Sequence, residues 1–206
     1  MTADPARWAV IIPIRGADPS KSRLDHPRRR ELARSFALDT VRAAAGATRT
    51  ARIVVVIGRH AQLPAMSGIR VVRDDGRGLD AAVRLGLASV PDPTLHRAVL
   101  LGDLPSLRSV ELDDVLERAE LVPRAFVADA DGTGTTISTA RTGVAHRLRF
   151  GAGSATAHRR VGHVELRVPV SSGIRRDVDD AAGLVAAVAR GTGRSTAAVL
   201  ACLSGS

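Results

Sequence analysis

Aromatic side chains are almost missing from this chain, which has one Trp, three Phe and no Tyr in 206 residues. Its core must therefore be built from Val, Leu, Ile and Ala, and it offers few stacking platforms for single-stranded nucleic acid. Cysteine is scarcer still. With Cys202 alone, neither an intrachain disulfide nor a cysteine metal cage can form, which fits a reducing compartment. Apolar runs such as Leu184 to Ala189 fall far short of the ~20 residues a membrane span requires. Met1 to Arg7 is polar and strand-like sequence follows at once, so a cytoplasmic protein without an apolar leader is expected. No linker, repeat or low-complexity block interrupts the chain, and a single domain over residues 1–206 is expected.

Asparagine is absent and Lys21 is the only lysine, a bias that suits GC-rich codons. A chain that writes arginine at every other cationic site has kept one ammonium group. A compact ammonium and a guanidinium fork do different work at a phosphate.

What is present is ordinary for a folded protein: 45% hydrophobic and 25% charged residues, with a formal charge of +9. The positive balance favours anionic partners. Because the arginines are scattered rather than gathered into a tail or stripe, phosphorylated small molecules fit it better than nucleic acid.

Short β-branched runs alternate with longer helical stretches. Strands are predicted at Trp8 to Ile14, Ile53 to Ile57, Ile69 to Val72, Ala98 to Leu101, Ala125 to Ala128, Thr136 to Ala140 and Val164 to Val168. Pro27 opens a helix with Leu32, Phe36 and Val41 on one face, and Gly78 to Leu87 forms another. Ser109 is expected to cap a third, Asp179 or Asp180 to begin one running to Ala189, and Ser195 to cap the last. This order argues for an α/β fold with a mainly parallel central sheet and helices on both faces. Ligands of such sheets bind beyond the carboxyl ends of the strands.

Four segments there can carry chemistry. Arg15 to Leu24, with Lys21 and Arg23, can turn backbone amides and cations toward a phosphate, although it lacks the Gly-Lys-Ser/Thr ending of a P-loop. Its plainer reading is a basic surface loop. Asp103, between a strand and Pro105, can hold magnesium beside phosphates, or simply form the turn. In Asp177-Val178-Asp179-Asp180, Asp179 is either an N-cap or a second metal ligand. Asp177 and Asp179 share a side if the stretch is extended. Lastly, Asp129 to Thr136 and Arg149 to Ser154 combine hydroxyls with unhindered amides suited to a small anion, and Ser154 opens a helix whose amide end favours negative charge. Asp129 and Asp131 lack the later Glu of a calcium loop. His158 reads as structural rather than catalytic. Neither a Gly-x-Ser-x-Gly elbow nor zinc spacing occurs.

Taken together, Lys21-Ser22-Arg23-Leu24, Asp103-Leu104-Pro105, Asp131 to Thr136, Phe150 to Ser154 and Asp177-Val178-Asp179 resemble the phosphoenolpyruvate/2-phospho-L-lactate guanylyltransferases of coenzyme F-420 biosynthesis, relatives of the molybdenum-cofactor nucleotidyltransferases. The resemblance runs from about Trp8 to Leu200. It implies a Rossmann-like nucleotidyltransferase fold and transfer of GMP from GTP to a small phosphorylated acid, with pyrophosphate released. It implies Mg2+ on Asp103 and Asp179, nucleotide contacts from Lys21, Gly78 and Asp80, catalytic charge from Lys21, Arg15, Arg23 and Asp103, and acceptor contacts from Thr136, Gly151 and Ser154. Partners would be GTP and the acid, with no nucleic acid or membrane and a possible hand-off of product to the next biosynthetic enzyme. The composition leans toward phosphoenolpyruvate over 2-phospho-L-lactate. Other readings are a molybdopterin or sugar phosphate acceptor, or a nucleotide-binding protein without turnover. Arg15 replaces the family's usual lysine, Asp80 its asparagine, and Asp180-Ala181 its Thr-Pro.

Overall fold

The structure is a computed structural model that describes residues 7–14, 28–59 and 61–204. Strands run over Trp8–Ile14 (β1), Thr50–Ile57 (β2), Ile69–Arg73 (β3), His96–Leu100 (β4), Arg124–Ala128 (β5), Thr135–Ala140 (β6) and Val164–Glu165 (β7). Helices run over Arg29–Gly46 (α1), Leu79–Ala88 (α2), Ser109–Ala119 (α3), Ser154–Arg160 (α4), Ala181–Arg190 (α5) and Arg194–Ser204 (α6), with a 3-10 turn at Gly173–Arg175.

The seven strands form one sheet in the order β3-β2-β1-β4-β6-β5-β7. Its pairs are parallel except those made by β6, which runs against both β4 and β5. The exception follows from chain length. Only residues 129–134 separate β5 from β6, enough for a hairpin but not for the crossover that a parallel neighbour needs. The predicted last strand shrinks to Val164–Glu165.

Side-chain alternation along β1 assigns the helices to their faces. Trp8, Val10 and Ile12 join Val41 and Ala44 of α1 and Leu112, Val115 and Leu116 of α3 in one core. Ala9 and Ile11 join Ala82 and Val83 of α2 on the opposite face. Helix α2 lies so close that a Cβ on Gly86 would stand 2.5 Å from Ile11 Cγ2 and 2.8 Å from Val56 Cγ2. A third cluster joins Leu32 and Phe36 of α1 to Val178 and Ala187, seating α5 beside α1.

Two expected caps differ. Ser109 is the first residue of α3 rather than its cap. Helix α6 is capped from a distance: Asp39 of α1, 5% exposed, accepts from the amides of Ser195 at 2.9 Å and Thr196 at 2.8 Å. A cap supplied 156 residues away in sequence leaves no local signal.

Candidate active site

A cavity of about 610 Å³ opens where β1, β4 and β5 end and β6 begins. Pro13 and Ile14 form one side, Leu101, Gly102 and Asp103 the floor, and Arg29, Arg30, Ala33 and Phe36 of α1 a third wall. The remaining walls are the turn after β5, the segment from Phe150 to Ser154, and the carboxylates of Asp177 and Asp179.

Backbone bonding joins the acidic segments. The amide of Val178 donates to the carbonyl of Asp103 at 3.1 Å, and the fully buried Val178 side chain packs with Leu32 and Phe36. The buried Val178 sits between Asp177 and Asp179, and both of these acids line the cavity. The helix-cap reading falls to the neighbouring residue: Asp180 is the N-cap of α5, its Oδ1 accepting from Gly183 N–H at 2.8 Å. Upstream, Glu111 of α3 accepts from Ser172 Oγ at 2.7 Å and from the Gly173 amide at 3.0 Å. The Arg175 guanidinium donates to the carbonyls of Ala128 and Asp129, both at 3.0 Å. These bonds fix the approach to Asp177 against the end of β5.

Burial, with the charges of Asp103, Asp179 and Asp129, pushes the Asp177 carboxyl up to about 8. The site therefore concentrates negative charge. Among the described residues no three His, Cys, Asp or Glu side chains converge tightly enough to hold a metal by themselves. Hard carboxylate oxygens on two bonded segments nonetheless suit an octahedral divalent ion, which takes one or two carboxylates and completes its shell with water and phosphate oxygens.

Asp129 has other work. Its carboxylate accepts from the amides of Thr133 at 2.9 Å and Gly134 at 2.7 Å, shaping the turn that opens β6. A Cβ on Gly134 would lie 2.2 Å from Asp129 Oδ2, so this bond needs glycine there. The turn is fastened to α4, where the Ala155 amide donates to the Thr133 carbonyl at 3.0 Å and the Ser154 amide to the Gly151 carbonyl at 3.1 Å. Those two amides, at the start of this seven-residue helix, are spent on the fold.

With the geometry in place, the comparisons decide the kinship. Residues 8–204 match the family described as "Guanylyl transferase CofC like". The chain belongs to the CofC-like guanylyl transferase family. Among its curated relatives, the phosphoenolpyruvate guanylyltransferase of Streptomyces scabiei is 43% identical over 96% of this chain and 97% of its own. Phosphoenolpyruvate guanylyltransferase 2 of Rhodococcus jostii is 39% identical over 96% and 92%. Among solved structures, the Mycobacterium tuberculosis protein Rv0371c, crystallised with manganese, shares the fold at a TM-score of 0.62 and 24% identity, covering 90% of this chain and 100% of its own. A 4-diphosphocytidyl-2C-methyl-D-erythritol synthase shares it at 0.62 and 16%, covering 90% and 97%. These neighbours carry the Rossmann-like nucleotidyltransferase fold.

In this CofC-like chain the cavity gathers Asp103, Asp179, Gly151 and Ser154. Arg15, Lys21 and Arg23 lie outside the described residues, although Ile14 and Arg29, on either side of that segment, both line the cavity. Gly78 and Asp80 flank the wall rather than form it, the lining residue between them being Leu79. Gly78 is the N-cap of α2 with φ 96°, and one carboxylate oxygen of Asp80 is buried without a hydrogen-bond partner. Thr136 differs most from expectation. Its side chain is fully buried, with Oγ1 3.5 Å from the Val127 carbonyl, because strand alternation turns it away from Thr135. Thr133 and Thr135 line the cavity instead, and the Thr136 carbonyl accepts from the Leu101 amide at 2.9 Å.

Sequence reasoning missed Arg29 and Arg30, cations that line the same cavity as the acids. Their signal was the run Arg28-Arg29-Arg30, which reads as an ordinary charged first turn until the cavity is seen.

Proposed function

We propose that this chain transfers GMP from GTP to phosphoenolpyruvate, releasing pyrophosphate, as a guanylyltransferase of coenzyme F-420 biosynthesis. The observation that carries the site assignment is the joining of two acid-bearing segments by the Val178–Asp103 bond, with both acids on one cavity. The family and its curated phosphoenolpyruvate guanylyltransferases support the reaction.

The chemistry asks for charge management more than proton transfer. A phosphate monoester, with a second pKa near ~6, is mostly dianionic at neutral pH and attacks the α-phosphorus of GTP without a general base. The obstacle is repulsion between two anions. Asp103 and Asp179 would hold Mg2+, which when bound screens the triphosphate and stabilises charge on the leaving oxygens. Arg29 and Arg30, with Lys21, Arg15 and Arg23, supply positive charge to the phosphates. Asp80 accepts from the ring N–H and amino group of guanine beside Gly78. Gly151 and Ser154, with Thr133 and Thr135, hold the acceptor. Both substrates are cytoplasmic metabolites, and neither nucleic acid nor membrane is needed.

The test is pyrophosphate release from GTP and Mg2+ against phosphoenolpyruvate, 2-phospho-L-lactate and a sugar phosphate. Release with phosphoenolpyruvate well above the others is expected. Turnover confined to the sugar phosphate, or GTP binding without any release, would overturn the reading.

A further inference from the structure

His158 of α4 is fully buried behind the acceptor wall, against two of the chain's three phenylalanines. Its ring stacks on Phe126 at 5.6 Å between centroids and meets Phe150 edge-on at 5.3 Å. Both ring nitrogens are engaged. Nε2 lies 3.2 Å from the backbone nitrogen of Arg149, and Nδ1 lies 3.0 Å from Thr135 Oγ1.

The first bond fixes the direction of the second. A backbone amide can only donate, so Nε2 must accept, and a neutral imidazole then carries its single proton on Nδ1. Nδ1–H therefore donates to Thr135 Oγ1. A hydroxyl that accepts there keeps its own proton for another partner, and Thr135 lines the cavity. Burial holds the ring neutral by pushing its pKa down to about 4. The groups facing it are His163, 4.8 Å away between centroids, and the charges of Arg149 and Asp80.

We propose that His158 is a positioning residue that locks the Thr135 hydroxyl as a donor to the anionic acceptor, and that through Thr135 and Arg149 it holds the start of β6 and the segment before α4 in one arrangement. The proposal rests on the acceptor assignment made above and names a device within it. His158 touches no reacting atom.

Two measurements test it. Side-chain 15N–1H correlation spectra of the intact protein at pH 7 read the tautomer without any turnover. A proton on Nδ1 is expected, and a proton on Nε2 or a doubly protonated ring overturns the proposal even where the reaction assigned to the protein also fails. Initial rates with GTP and phosphoenolpyruvate then read the consequence. His158→Gln keeps an acceptor for the Arg149 amide and loses the donor to Thr135, so its KM for phosphoenolpyruvate should rise about tenfold with that for GTP unchanged. His158→Asn, with an N–H near the position of Nδ1, should recover most of that loss. Thr135→Val should match His158→Gln, and the double variant should be no worse than either alone. Equal losses in both KM values, or additive effects of the two substitutions, would reduce His158 to a packing residue and overturn the proposal. A wild type that turns over no acceptor would overturn the functional reading instead.

Discussion

The backbone N–H of Val178 donates to the carbonyl of Asp103 across 3.1 Å. A bond between residues on either side of α3, β5, β6 and α4 makes the two acid-bearing segments neighbours by backbone geometry. Their carboxylates need no mutual attraction to meet, and their repulsion is held in place by the fold.

Adjacent acids in this stretch have separable tasks. Asp180→Ala removes the cap of α5 and should cost about 1 kcal/mol of stability, with turnover close to wild type. Asp179→Ala should leave the unfolding midpoint nearly unchanged and lower turnover about a hundredfold. Paired urea melts and initial rates distinguish them. The reverse pattern would show that Asp179 is the structural residue.

The base-reading assignment turns on Asp80. If its carboxylate accepts from guanine's amino group, inosine triphosphate, which lacks that group, should bind about tenfold more weakly than GTP. Asp80→Ala should abolish the difference. A preference that survives the substitution would move guanine recognition to another residue.

Acid should loosen the fold through its buried histidines. Burial pushes His146 down to about 3, and His158 and His163 each to about 4. Near pH 7 these rings are neutral folded or unfolded. Below the unfolded value of about 6.5 only the unfolded chain takes up the protons, so stability falls as pH drops toward about 4. Each buried ring contributes about 1.4 kcal/mol per pH unit in that window. Asp177, raised to about 8, works in the opposite sense with one proton, so His163→Gln isolates the effect. That variant should lose about one proton's worth of slope between pH 6 and 4.5 in urea melts. An unchanged slope would contradict the burial account.

Close packing of α2 on the sheet gives a sharper stability test. Alanine at position 86 gains about 1 kcal/mol of helix propensity, but its Cβ would stand 2.5 Å from Ile11 Cγ2. Overpacking typically costs about 1–3 kcal/mol. Gly86→Ala should therefore destabilise on balance, and a rise in the thermal midpoint would show that α2 has room to retreat.

Much of the fold was legible because its signals are local. The continuous apolar run of β1, the helical spacing of Leu32, Phe36 and Val41, and the turn at Gly102-Asp103 are all written within a few residues. The reversed β6 was readable only from the shortness of the β5–β6 link. In the site, Asp103 and Asp179 could be named from sequence, but choosing between Asp179 and Asp180 as helix cap required coordinates, since both stand just before α5. The inward turn of Thr136, the remote capping of α6 by Asp39 and the reach of Arg29 and Arg30 into the cavity depend on contacts between distant segments. No spacing rule carries them.

The most direct measurement is the rate of pyrophosphate release from GTP and phosphoenolpyruvate as Mg2+ is titrated, for the wild type and Asp103→Ala. The variant should keep a native circular dichroism spectrum and unfolding midpoint, and lose turnover at least about a hundredfold at every Mg2+ concentration. Near-normal turnover by a folded Asp103→Ala protein would contradict the claim that this cavity is where the metal and the phosphates meet.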